Sequence, residues 1–217
     1  MLGNLSVVAS VTRKPPGSRQ QRRQDIERRL LDATERLMGA GASFTELSVD
    51  RLATAAGISR ASFYIYFEDK GHLLRRLAGQ VFGDLASSAQ RWWDVAHRHD
   101  PSDVGAAMAA IIASYRRHQP LLIALNEMAA YDPLVGDTYR ALLTSISGRL
   151  TGVIEAGQAD GAIRRALPAA ATASALTWMV ERVCQQDLPS RDPQHDAEIA
   201  RTITEIVWGA LYLTPAQ

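Results

Sequence analysis

Residues 58–74 read ISRASFYIYFEDKGHLL, and this mixture of rings and small polar side chains fits neither a core helix nor an ordinary solvated one. A core helix keeps polar atoms away, because burying a hydroxyl without a partner costs about 1–3 kcal/mol. A fully solvated helix does not usually gather Phe63, Tyr64 and Tyr66 beside Ser59, Arg60, Ser62 and Lys70. The combination suits a helix with one face in a core and the other against a polar, charged partner.

The flanking residues say how such a helix is framed. Ser59 is placed as an N-cap, with Ile58 and Phe63 at the two positions of a hydrophobic staple. The preceding stretch, LSVDRLATAAG, repeats the pattern with Ser48 as cap and Leu47 and Leu52 as staple, and it stops at Gly57. Ala53 is small enough for close helix approach, and Gly57 tolerates the positive φ of a tight turn. Two short capped helices joined by one glycine turn are a helix-turn-helix.

In that arrangement Leu52, Ala56, Ile58, Phe63 and Tyr66 fall on the buried side, while Ser59, Arg60, Ala61, Ser62, Tyr64 and Ile65 face out. Arg60 and Ser62 are expected near base edges, and Tyr64 and the Tyr66 hydroxyl near phosphates. The helix starts at Ser48 and Ser59 offer backbone N–H groups and a partial positive charge to phosphate. Lys70 is expected to add a cation at the groove edge.

Charge distribution agrees with a polyanionic partner. The net charge of +1 hides 13 Lys/Arg against 8 Asp/Glu through Arg76, and 11 against 15 beyond it; the first third is basic and the remainder acidic. No run approaches the roughly 18 apolar residues of a membrane span, and the start, MLGNLSVVAS, has no basic lead of a signal peptide. One cysteine, Cys184, excludes an intrachain disulfide and a cysteine-based zinc site and fits a reducing cytoplasm. The five histidines show no i, i+4 pair with an acidic ligand, so no metal is expected. Neither a G-x-S-x-G elbow nor a phosphate-binding glycine loop is present. No cofactor is expected, and an enzyme built on a helical bundle is the reading of a different class.

Periodicity indicates an all-α chain of about nine helices, with no period-2 run between turn signals. Residues 1–21, with Arg13, Lys14, Pro15, Pro16 and Arg19, read as a disordered basic arm, ambiguous between a solvated tail and a DNA-contacting one. A DNA-binding domain is expected over 22–69 and a second domain over 70–217. Helices are expected at 22–40, 48–57, 59–67, 70–96, 101–118, 120–130, 134–158, 168–186 and 197–213.

LSVDRLATAA followed by GISRASFYIYFEDKGHLL resembles the DNA-binding segment of the TetR family of transcriptional regulators, over residues 22–77. The turn glycine, the following serine, the aromatic pair and Lys-x-x-Leu all match; Gly71 replaces the usual acidic residue, which is expected to weaken the start of the following helix. The stretch VIEAGQADGAIRRALPAAATASALTWMVERV resembles the ethionamide-resistance repressor subgroup, although the aromatic residues of that subgroup's ligand tunnel are mostly aliphatic here, as at Ile146 and Val207. The same ligand is therefore not implied. The resemblance implies an all-α, cytoplasmic homodimer that binds a palindromic double-stranded DNA operator, most often as a repressor, and responds to a hydrophobic small molecule. An activator and a regulator without ligand response are the alternatives within the class.

Two further sets follow. Ile111, Ile112, Tyr115, Leu125, Met128, Leu143, Ile146, Trp178 and Met179 are expected to line an apolar cavity, with Asn126 and Thr177 as sparse polar handles, although their helical spacings describe an ordinary core equally well. The last two helices carry Leu176, Met179, Val180, Val183, Ile203, Ile206, Val207, Ala210 and Leu211, more apolar surface than one core face needs, and are expected to form the dimer interface.

Overall fold

The computed structural model describes residues 19–212. Among these residues are nine α-helices: α1 (Arg19–Gly39), α2 (Val49–Ala55), α3 (Arg60–Tyr66), α4 (Lys70–Val95), α5 (Pro101–Arg117), α6 (Gln119–Ala129), α7 (Pro133–Asp160), α8 (Ala169–Asp187) and α9 (Asp196–Leu211). No strand occurs among them, and no helix is long and apolar enough to cross a membrane. Residues 19–21, expected in the arm, form the first turn of α1; Arg13 and Lys14 lie outside the described residues.

Local chemistry sets the helix ends. Ser48 and Ser59 accept the N–H groups of Arg51 and Ser62 at 3.2 and 3.0 Å. Asp69, Asp100 and Asp132 cap α4, α5 and α7 in the same way. Gly57 adopts φ 65°, and the N–H groups of Ile58 and Gly57 donate to Ala53 O and Thr54 O at 2.9 and 3.0 Å, a Schellman closure of α2. Two α1 arginines complete the turn: Arg29 donates to Gly57 O at 2.6 Å and Arg36 to Ala55 O at 3.0 Å.

Helices α1 to α3 close over Phe44, Phe63, Phe67, Leu30, Leu47 and Leu52, all at most 1% exposed. Each such ring or Leu side chain contributes about 1.5–3 kcal/mol on burial. This cluster is continuous with a larger core in which α4 packs on α5 and α7, α5 on α9, and α7 on α8.

The junction is the first two turns of α4. Lys70, expected to stand at a groove edge, is committed elsewhere: its ammonium donates to Thr45 O and Leu47 O at 2.8 Å each and to Phe44 O at 3.3 Å. Burial holds its pKa below the usual lysine value. An ammonium has three N–H donors, so all are spent on the loop before α2. The buried carboxylate of Glu27 accepts from Arg76 at 2.8 and 3.0 Å and from Arg23 at 3.2 Å, tying α1 to α4. Gly71 does not weaken the helix start, because Asp69 accepts the His72 N–H at 2.6 Å. A Cβ at position 71 would sit 2.8 Å from Asp132 Oδ2, so the glycine lets the turn between α6 and α7 close onto α4.

Lys70→Met is therefore expected to lower unfolding stability by about 1–2 kcal/mol through unpaired carbonyls, measured by urea denaturation. The slope of log affinity against log salt for DNA should be retained. A slope flattened by about one charge would instead show a phosphate contact.

Candidate DNA-reading face and interior cavity

Phe63 is fully buried and anchors α3, while Tyr64 and Ile65 on the same short helix are 48% and 75% exposed. Ser59, Arg60 and Ala61 are exposed with them; Ser62 and Tyr66 are half-buried at the edge. The hydroxyls of Ser59 and Ser62 hydrogen-bond to each other at 2.9 Å. Arg60 is paired with Asp50 of α2 at 2.7 Å, and its guanidinium carbon lies 5.7 Å from the Tyr64 ring centre. Asp50 is the main cause of its raised pKa. Because both partners are well exposed, this ion pair is exchangeable, and a base edge or a phosphate can replace the carboxylate at small cost. Ser48, at the start of α2, is exposed on the helix preceding this face. Lys70, spent on the loop carbonyls, is not a freely presented cation there.

A cavity of about 90 Å³ lies in the C-terminal bundle. Its wall draws Phe82, Leu85, Ala89, Trp92 and Trp93 from α4, and Met108, Ile111 and Tyr115 from α5. Helix α7 supplies Tyr139, Leu143 and Ile146, and α8 supplies Leu176, Thr177, Val180, Glu181 and Cys184. Of the expected lining, Ile111, Tyr115, Leu143 and Ile146 are in place.

The other five expected residues are elsewhere. Ile112 and Leu125 are sealed in solid core at 2% and 0% exposure, and Met128 and Met179 pack against that core from its margin. Trp178 is on the outer surface of α8. The reason is helical phase: Thr177, Val180, Glu181 and Cys184 form the inward stripe, and residues 178 and 179 are turned off it by roughly 100° per residue. Asn126, expected as a polar handle, is exposed on α6. The α4 wall was missed, since its stripe is indistinguishable in sequence from an ordinary core face.

The wall is not wholly apolar. The Tyr139 hydroxyl donates to Glu181 Oε1, and burial pushes both the Glu181 carboxyl and the Tyr139 phenol above their usual pKa values. Burial also pushes the Cys184 thiol up to about 12, an inert neutral group. Among the described residues no group of three or more His, Cys, Asp or Glu is placed to hold a metal.

On the outside of α8 and α9, Trp178 and Ile206 are 38% and 47% exposed. Several residues expected at a dimer interface are instead internal: Ile203 and Leu211 are core, and Leu176, Val180 and Val207 line the cavity. One amphipathic helix presents a single apolar stripe to its own chain first, and only the remainder is left for a partner.

Residues 30–77 match the family described as bacterial regulatory proteins, tetR family, and residues 104–213 match the C-terminal domain of the transcriptional regulator EthR. The HTH-type transcriptional regulator EthR of Mycolicibacterium smegmatis is 30% identical over 213 residues, covering 95% of this chain and 96% of the relative. Two solved structures share the fold: the fatty acid degradation regulator FadR of Bacillus halodurans, with TM-score 0.71 and 13% identity over 90% of this chain and 97% of the other, and FadR of Bacillus subtilis in complex with stearoyl-CoA, with TM-score 0.66 and 13% identity over 85% and 99%. The matched families and the relative are regulators of transcription and not enzymes. With its capped helix-turn-helix and an EthR-type C-terminal domain, the chain belongs to the TetR family of DNA-binding transcriptional regulators.

Proposed function

We propose that the protein is a dimeric repressor that reads a palindromic operator through α3 and is released from it by an apolar small molecule held in the interior cavity. One observation carries the reading: α4 both walls the cavity, with Phe82, Leu85 and Trp92, and begins at the anchor of the reading head, with Lys70 and Arg76. A ligand that displaces the middle of α4 has a direct mechanical path to the spacing of two heads. The binding free energy acts only to the extent that one conformation is bound better than the other.

A second link supports this path. His118, between α5 and α6, is 4% exposed and sits 2.5 Å from Glu35 of α1 and 3.2 Å from Asp84 of α4. At the other side of α6, Asp132 caps α7 and lies 3.9 Å from Arg75. Helix α6 is thus tied at both ends to elements that carry the head. A regulator of the same fold, FadR of Bacillus subtilis, is solved in complex with stearoyl-CoA, a molecule with a long hydrocarbon chain. The dimer is assigned to α8 and α9 because Trp178 and Ile206 are large apolar side chains left at the surface.

Selection of DNA from a random duplex pool on the purified protein is expected to return an inverted repeat. Arg60→Ala should then lower discrimination at one base position of each half-site by roughly tenfold, measured by competition binding; unchanged discrimination would remove Arg60 from the reading face. Ile206→Asp should give monomer in sedimentation velocity and lose most operator affinity, and a variant that stays dimeric would place the interface elsewhere. Ile146→Trp, which overfills the cavity, should weaken a cavity-bound compound by about tenfold or more. A compound that binds tightly by Trp92 and Trp93 fluorescence yet leaves operator affinity unchanged would show that the cavity is not the switch.

A further inference from the structure

The cavity carries an acidic group that an effector of purely hydrocarbon character would leave uncompensated. Glu181 is 8% exposed and lines the cavity from α8. Its Oε1 accepts the Tyr139 hydroxyl, while Oε2 has no hydrogen-bond partner among the described residues. Thr177 Oγ1, one turn earlier on the same stripe, is also buried and without a partner among them. Arg182, the neighbouring cation along the chain, is exposed on the outer side of α8. A buried carboxylate oxygen left without a donor is costly, and a charge-assisted hydrogen bond is what offsets it best.

We propose that the effector is a cationic amphiphile, an apolar body bearing a protonated amine whose N–H groups donate to Glu181 Oε2 and Thr177 Oγ1. The apolar body lies against Phe82, Leu85, Trp92, Leu143 and Ile146. This rests on the cavity being the effector site and narrows its chemistry. A fatty acid placed with its carboxylate at Glu181 is disfavoured by like charge, although an acyl chain lying only along the apolar wall is not. Burial, which raises the Glu181 pKa, is countered by a bound ammonium, since an opposite charge at hydrogen-bond distance favours the ionised carboxylate.

The test is a calorimetric comparison, on the full-length wild type, of octylamine, 1-octanol and octanoate, which share one hydrocarbon chain and differ in head group. Octylamine is expected to bind at least about tenfold more tightly than either of the others. Glu181→Gln keeps an acceptor for Tyr139 and should erase that preference, and a cooperative thermal unfolding transition reports that the variant is folded. Equal affinity of amine and alcohol for the wild type, a preference for octanoate, or an amine preference that survives in Glu181→Gln would each overturn the inference while leaving the cavity reading intact. Failure of all three probes to bind would remove both. The ranking on the wild type alone is decisive should the variant not fold.

Discussion

The first two turns of α4 are the constraint on which the rest of the molecule depends. One ammonium, from Lys70, gathers three backbone carbonyls of the loop before α2, and one buried carboxylate, Glu27, is held by Arg76 and Arg23. Both interactions are short, charged and partly withdrawn from water, where electrostatic attraction is less screened than at the surface. They make the small head rigid with the start of a helix of 26 residues, whose other half walls the interior cavity.

The buried polar groups are concentrated where elements meet. Arg116 at the end of α5 grips Asp196 at 2.7 Å and the carbonyls of Leu188 and Arg191, which closes the segment between α8 and α9 onto α5. Trp92 donates to the Tyr212 hydroxyl at 3.2 Å, and that hydroxyl donates to Ala96 O at 3.0 Å, locking the end of α9 to the end of α4. In each case a side chain supplies what backbone groups at a helix end cannot find within their own helix. Glu181, Thr177 and Trp93 depart from this pattern beside the cavity, with Oε2, Oγ1 and Nε1 unpaired among the described residues, as is Ser114 Oγ away from it.

The reading face and the cavity also differ in how they are built. The face is local: seven residues of α3, one cap and one glycine turn determine which side chains point out. The cavity is assembled from six helices, α4 to α9, with lining residues from Phe82 to Val207. The Arg60–Asp50 pair shows that even the local face is held between two helices.

What could be read from sequence follows from this difference. The caps Ser48 and Ser59, the Gly57 turn, the buried Phe63 and the exposed Tyr64 were all legible, because caps, staples and positive-φ glycines act within five residues along the chain. The all-α fold was legible for the same reason, through the 3.6-residue period of each helix. Lys70 was misjudged because its partners are carbonyls some 25 positions away, which have no sequence signature. Trp178 and Met179 were placed in the cavity and Glu181 was not, because an apolar stripe states only that a helix has a buried side. Which residues of that side meet solid core and which meet a cavity was decided by the phase and crossing of the packed helices, and only tertiary structure sets those.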